Sequence, residues 1–327
     1  MKLSRRNLVC SMGWPLLSVA ILQRKAWAQH AWPTRPVRIV VGYAPGGVND
    51  LLARLVGPFL AERLGQPFPV ENRPGAASNI ATEAVARAAP DGYTLLLVGS
   101  ANAINTTLYD KLGFDFAKDI APVASLCSVP IALLVNPAVP ARTLSELISF
   151  AKANPGKLSM ASPGNGSPQH LAGELFKMMA GIDMVHIPYR GGGPAMTDLL
   201  SGQVQVSFGS VASSMQYVRG GQLRALGVAS SGRLDVLPDV PAIAELLPGY
   251  FAIGWYGLGA PAGTSAEVVA RLNEASNAAI ADPKISARLA ELGATPLPGS
   301  PADFAKLIAD ETERWARVVR FSGARPN

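Results

Sequence analysis

From residue 37 onward, short β-branched and apolar runs alternate with longer stretches of helical periodicity. The runs at 37–42, 68–71 and 94–98 have the length and composition of strands. Between them, apolar positions at helical spacing predict helices over 51–64 and 78–88. This strand–helix–strand order predicts an α/β fold in which helices flank a mainly parallel sheet.

The alternation begins again after two apolar runs, 120–126 and 131–135, which flank Pro130. We interpret this pair as one long strand that leaves a first domain and enters a second. A further strand at 253–259 would return to the first domain, where three C-terminal helices would pack. The predicted division assigns 29–126 plus 254–327 to domain 1 and 127–253 to domain 2, each with a mainly parallel sheet flanked by helices.

The first 28 residues have the features of a cleaved export signal. Arg5 and Arg6 precede an uncharged, mostly apolar run at 8–22, and Ala26-Trp27-Ala28 is typical of a cleavage site. The arginine pair resembles a twin-arginine signal, and Sec export is the alternative. The segment carries five of the basic residues and no acidic one, so its removal lowers the net charge from +6 to +1. The mature protein therefore has no basic excess that would favour nucleic acid.

Three predicted strands end in glycine-bearing loops that open helices. The loops span 44–50, 163–170 and 190–194. Asn49 is a candidate N-cap of the first helix, and Ser167, followed by proline, is a candidate N-cap of the second. Helix starts present unpaired N–H groups and the positive end of the helix dipole, which together bind anions without any Lys or Arg. One such loop is also typical of an ordinary turn, but three at the ends of parallel strands favour a binding cleft.

The loops do not match known phosphate motifs. The stretch 164–169 has the first two glycines of a dinucleotide fingerprint but not the third, and the sequence has no Walker-type lysine loop. A small carboxylate, held by N–H groups and hydroxyls, fits these loops better.

An enzymatic alternative is a small hydrolase that uses Ser167 and His170, but no third orienting group lies near in the sequence. The His170 ring could instead donate to a bound carboxylate, with capping and packing as the competing role. Asp50 could orient the loop amides or accept from a ligand. Cys127, in an apolar run, and His186, inside a predicted strand, are expected to be packing residues. No cluster has metal-ligand spacing. We therefore expect a binding protein rather than an enzyme, with no cofactor and no metal.

Further short motifs follow one another along about 280 residues. They include 44–47 with Asp50, the stretches 71–76 and 90–95, Gly166-Ser167 with 170–176, the stretch 187–191, and 255–258 followed by 260–264. In this order and spacing the chain resembles the periplasmic solute-binding proteins of tripartite tricarboxylate transporters, the Bug family.

The resemblance implies a two-domain Venus-flytrap fold, a periplasmic location, a carboxylate-bearing ligand in the cleft and delivery to membrane permease subunits. A ligand sensor for a signalling partner is the alternative within the same fold. We expect a monomer that binds no nucleic acid. The loop matching 44–50 would hold a ligand carboxylate, and the loops matching 163–170 and 189–194 would close on it. The candidate ligand-binding residues are Tyr43, Gly46, Gly47, Val48, Asn49, Asp50, Ser78, Ser100, Asn165, Gly166, Ser167, His170 and Tyr189.

The sequence departs from the family at three places. Val48 and Asn49 stand where relatives often carry a hydroxyl, and Ser78-Asn79 belongs to a less glycine-rich stretch, so that these two could reach the ligand. The stretch 207–210 lacks an acid that many relatives have, which weakens the case for an amino-acid ligand. The ligand class is open among dicarboxylates, tricarboxylates, amino acids, aromatic acids and neutral amides.

Overall fold

A computed structural model describes residues 32–189 and 191–326. The predicted export signal and Arg190 lie outside the described residues. The strands are β1 Arg38–Val41, β2 Val70–Asn72, β3 Thr94–Gly99, β4 Ile120–Val135, β5 Ser159–Ser162, β6 Val185–Pro188, β7 Val206–Ser210, β8 Arg224–Val228, β9 Ile253–Pro261 and β10 Thr295–Pro296. The helices are α1 Val48–Leu64, α2 Asn79–Ala86, α3 Ser100–Leu108, α4 Phe116–Asp119, α5 Leu144–Ala153, α6 Pro168–Ala180, α7 Gly192–Ser201, α8 Val211–Arg219, α9 Ala266–Ala281, α10 Pro283–Glu291 and α11 Pro301–Ser322.

The long strand β4 belongs to two sheet regions. Its first part, to Pro130, pairs with β9 in the order β2-β1-β3-β9-β4, with β10 on the far side of β4. Its last part, from Ile131, pairs with β7 and β8, and β7 continues to β5 and β6. The sequence pattern around Pro130 thus corresponds to one continuous strand. The domain limits at 126/127 and 253/254 stay a prediction.

Both sheet regions are mixed, which corrects the expectation of mainly parallel sheets. Parallel pairing is found where it was expected, between β1 and its neighbours β2 and β3, and between β5 and its neighbours β6 and β7. The pairs β3–β9, β9–β4, β4–β7 and β4–β8 are antiparallel. The reason is that β4 and β9 carry the chain between the two regions in opposite directions, and an apolar run has the same appearance in either orientation.

Separate apolar clusters cover the two regions, and α11 takes part in both. Phe304 near its start packs beside Trp255 with the rings edge to face, whereas Trp315 near its end lies in the cluster that contains Phe176 and Phe208. Within the described ranges, none of the helices is long and apolar enough to cross a membrane. The fold thus leaves the carboxyl ends of β1, β3, β5, β6 and β7 as starting points for the loops that matter below.

Candidate functional site

The loop that follows β1 is braced from inside by Asp50. This carboxylate, 3% exposed, accepts from the Gly46 N–H, from Arg54 Nε and from Asn72 Nδ2, each at 3.0 Å. Asn72 Nδ2 also donates to the Tyr43 carbonyl at 3.0 Å. The Arg54 hydrogen bond, with help from Gly46 and Asn72, lowers the pKa of Asp50 to about 2. Asp50 could orient the loop amides or accept from a ligand, and this geometry favours the first role.

The start of α1 is open toward solvent. The helix begins at Val48 with Gly47 as N-cap, two residues earlier than the Asn49 cap that we predicted. In the part of the chain that the structure describes, no side chain caps this start. Gly46 and Gly47 are exposed, and the first N–H groups of the helix have no intrahelical partner by geometry. Asn49 turns its Oδ1 toward Gly99 at the end of β3.

The loop after β5 faces the first region. Gly166 has a φ of +73°, and an added Cβ would lie 2.0 Å from Leu108 Cδ2 and 3.8 Å from Asn105 Oδ1, both on α3. Ser167 caps α6, because its Oγ accepts from the His170 N–H at 3.2 Å, as the sequence predicted. Asn165 lies half-buried in the same loop. The loops of the two regions therefore meet beside α3.

Two stacked histidines hold the loop after β5. The His170 and His186 rings lie 3.8 Å apart between centroids and are inclined by only 16°. The Gly166 N–H donates to His170 Nδ1 at 3.2 Å, so the ring proton is on Nε2, which faces Glu174 at 3.6 Å. His186 Nε2 bonds Ser162 Oγ at 2.6 Å, and that hydroxyl contacts the Gly164 backbone. Both nitrogens of His170 thus have protein partners, which favours the packing role over donation to a ligand.

His186 should make the stability of the fold dependent on pH. Burial, together with the neighbouring His170, lowers the pKa of His186 to about 3. The unfolded chain binds a proton at this position below about pH 6.5, and the folded chain does not until about pH 3, so the free energy of unfolding falls as the pH falls through this window. When the pH is lowered from 6.5 to 5, we expect the free energy of unfolding to fall by about 1 kcal/mol more in the native protein than in His186→Gln. This is less than a slope of about 1.4 kcal/mol per pH unit would give, because the ring is only half-buried. Urea unfolding at several pH values measures this difference, and parallel curves for the two proteins would contradict it.

Other predicted residues have partners within the protein. The Tyr189 hydroxyl donates to Asp198 at 2.6 Å, and burial with this bond raises the pKa of Tyr189 to about 12. Ser100 Oγ accepts from the backbone N–H of Trp255 at 2.9 Å and ties the start of α3 to β9. Tyr43 is half-buried, and burial beside Tyr109 raises its pKa above the ordinary value. The Tyr189 and Ser100 side chains are therefore engaged within the protein.

A strained turn precedes α2. Ala76, Ala77 and Ser78 have φ values of 46°, 50° and 80°, a left-handed run without glycine. Asn105 of α3 holds this turn by donating from Nδ2 to the Ala77 carbonyl and to Asn79 Oδ1, both at 2.8 Å. Asn105 was not among the predicted site residues. Its position one turn inside a helix has no glycine or capping signal that could have indicated it.

The structure does not assemble a hydrolase from the predicted pair. Ser167 Oγ bonds the backbone N–H of His170, and the imidazole bonds Gly166 and faces Glu174 instead. Cys127 is fully buried, and burial raises the pKa of its thiol to about 12. Residues 32–189 and 191–326 contain no group of three or more His, Cys, Asp or Glu that could hold a metal ion.

Comparison with solved structures defines the class of the protein. The adipate complex of Rpa4515 from R. palustris superposes with a TM-score of 0.85 at 36% identity and covers 90% of this chain and 100% of its own. MatC (Rpa3494) from Rhodopseudomonas palustris with bound malate gives 0.82 at 36% identity, over 88% of this chain and 100% of its own. The fold is thus the two-domain α/β fold of periplasmic binding proteins.

The sequence comparisons identify the family. The model of the tripartite tricarboxylate transporter family receptor, TctC, matches residues 52–323. Protein BugT from Bordetella pertussis is 39% identical over 297 residues, which is 90% of this chain and 91% of that protein. The chain therefore belongs to the TctC receptor family of solute-binding proteins, which confirms the resemblance to the Bug family.

Proposed function

We propose that this protein captures a small carboxylate-bearing ligand in a cleft between its two domains and delivers it to a tripartite tricarboxylate-type transporter. The observation that carries the proposal is the uncapped start of α1 behind the exposed Gly46-Gly47 loop. An anion placed there accepts from backbone N–H groups and lies at the positive end of the dipole of a 17-residue helix.

The charges around the loop support a small carboxylate. A basic side chain next to the loop, Arg54, is engaged within the protein, because its guanidinium bonds the Asp50 carboxylate at 3.0 Å. The Asp50 oxygens also accept hydrogen bonds from the Gly46 N–H and from Asn72 Nδ2. The loop therefore offers neutral donors, which suit a singly charged carboxylate group better than a phosphate that bears more charge.

Two relatives support the ligand class. Rpa4515 was solved with adipate and MatC with malate, and both ligands are dicarboxylates. The loops after β5 and β6 would form the other side of the cleft. Closure would be driven by contacts that the ligand makes only in the closed state. The periplasmic location, the permease partners and the monomeric state belong to this proposal.

We expect at least one small carboxylate to raise the thermal midpoint of the protein comprising residues 29–327. A ligand at 100 times its Kd stabilises the folded state by about 2.7 kcal/mol. Differential scanning fluorimetry with a panel of di- and tricarboxylates, amino acids, aromatic acids and neutral amides measures the shift. A shift with neutral compounds alone would contradict the carboxylate proposal.

A further inference from the structure

We propose that Ser78, Asn79 and Asn105 form a second subsite, which binds a neutral hydrogen-bonding group of the ligand, a primary amide or a hydroxyl. The inference rests on the proposed function, since it assigns the end of the ligand that lies away from the α1 loop. The ligand class is accordingly a carboxylic acid whose other end is an amide or a hydroxyl rather than a second carboxylate.

Three buried polar atoms of this cluster lack partners. Ser78 is 1% exposed, Asn79 7% and Asn105 1%. Among the described residues, none forms a hydrogen bond with Ser78 Oγ, Asn79 Nδ2 or Asn105 Oδ1. A buried polar group without a partner costs about 1–3 kcal/mol, so three in one place indicate that a further group is meant to bond them.

The orientation of both amides is determined by their surroundings. The Ala77 carbonyl can only accept, so the group that contacts it at 2.8 Å must be Asn105 Nδ2. The same nitrogen donates to Asn79 at 2.8 Å, so the atom of Asn79 that it meets must be Oδ1. The unpaired atoms are therefore a donor on Asn79 and an acceptor on Asn105, together with the hydroxyl of the adjacent residue Ser78, which can do both.

The cluster lies between the two loops of the candidate site. Ser78 packs directly on Gly42 at the end of β1, where an added Cβ would come within 2.0 Å of Ser78 Oγ. On the other side, Asn105 Oδ1 faces Gly166, whose Cβ would lie 3.8 Å away. The subsite is thus bounded by the beginning of the α1 loop and by the loop after β5.

A donor paired with an acceptor is complementary to a neutral group. A primary amide accepts from Asn79 Nδ2 through its oxygen and donates to Asn105 Oδ1 through its nitrogen, and a hydroxyl does both through one oxygen. An ionised carboxylate has no hydrogen to donate, and its charge would face the Asn105 oxygen. Among the described residues, the groups hydrogen-bonded to the side chains of the cluster are the Ala77 carbonyl and the two amides themselves, none of them cationic.

The backbone conformation indicates that the cluster is a built feature. Three successive non-glycine residues in the left-handed region cost of the order of 1–3 kcal/mol each. The turn places Ser78 against Gly42 and Asn79 against Asn105. Such strain persists where the surroundings impose it, most often at ligand sites.

Isothermal titration calorimetry with matched acid pairs tests the inference. The probes are succinate and succinamate, glutarate and glutaramate, and adipate and its monoamide, so that three lengths are sampled. In at least one pair we expect the monoamide to bind the native protein at least about tenfold more tightly than the dicarboxylate, because only the amide has a hydrogen to donate to Asn105 Oδ1. In Asn79→Asp, which turns the free donor into a charged acceptor but keeps the oxygen that Asn105 bonds, this ratio should rise, because the new charge repels a second carboxylate whereas the NH2 of an amide can donate to it.

Ser78→Ala and Asn154→Asp complete the experiment. Ser78→Ala should weaken monoamide binding without lowering the thermal midpoint of the unliganded protein, because the hydroxyl it removes has no partner among the described residues. Asn154→Asp makes the same chemical change at the end of α5 and should leave the ratio unchanged. Equal or tighter dicarboxylate binding in every pair would overturn the subsite and leave the proposed function standing. Variants that change stability but not the ratio would equally overturn it, in favour of a structural water. Binding of neither form of any acid would contradict the proposed function itself.

Discussion

Replacement of Gly47 by valine should weaken carboxylate binding by at least about a hundredfold while the fold is retained. Gly47 has φ −80° and ψ 169°, a conformation that valine adopts readily. An added Cβ would have only the Ala44 carbonyl within 4 Å, at 3.9 Å, so no core contact is disturbed. The branched side chain would instead occupy the space in front of the α1 N–H groups. Loss of two hydrogen bonds to a charged group, at about 1.5–3 kcal/mol each, corresponds to this change in Kd.

Gly232→Val is the matched control. Gly232 has no atom within 4 Å of an added Cβ and lies in an exposed bend that follows β8. Calorimetry with the acid that gives the largest thermal shift measures both variants, and circular dichroism checks their folding. Native affinity in a folded Gly47→Val protein would remove the α1 loop from the site.

Replacement of Asp50 by alanine should reduce both stability and affinity. The change removes the buried acceptor of Gly46, Arg54 and Asn72, and with it the brace of the loop. Because Arg54 is 52% exposed and can be solvated, we expect a loss of about 2 kcal/mol, below the 3–5 kcal/mol typical of a fully buried pair. Since the pKa of Asp50 is lowered to about 2, its contribution is present above about pH 4 and is lost as the pH falls toward 2. Urea unfolding gives the stability, and calorimetry gives the affinity.

Glu83→Ala is the control for Asp50→Ala. Glu83 pairs with Arg87 at the same four-residue spacing, but both side chains are exposed, at 39% and 69%. Such surface pairs contribute about 0–1 kcal/mol, so the variant should unfold nearly as the native protein and bind normally. If Asp50→Ala kept native affinity, the inward brace would not be what positions the loop.

The positions of the loops were predictable, but the roles of many residues in them were not. Glycine and proline after an apolar run mark the loops at 44–50 and 163–170, and the Ser167 cap is a local interaction over three residues. Asp50 depends on Asn72, 22 residues away, and Ser100 on Trp255, 155 residues away. No local pattern contains such pairs, because they are formed by the packing of strands that are distant in sequence.

The sequence by itself determined the α/β class, the shared strand at Pro130, the family and the places where the chain opens helices with free N–H groups. These depend on periodicity and turn chemistry, which act over a few residues. Only the tertiary structure decided the mixed pairing around β4 and β9, the use of Asp50 as a brace, the stack of His170 on His186 and the association of Asn79 with Asn105. The first is the antiparallel pairing of two long strands, and the others join side chains from separate strands, helices and loops. Their energies arise from burial and hydrogen-bond satisfaction, which exist only when the distant segments are packed together.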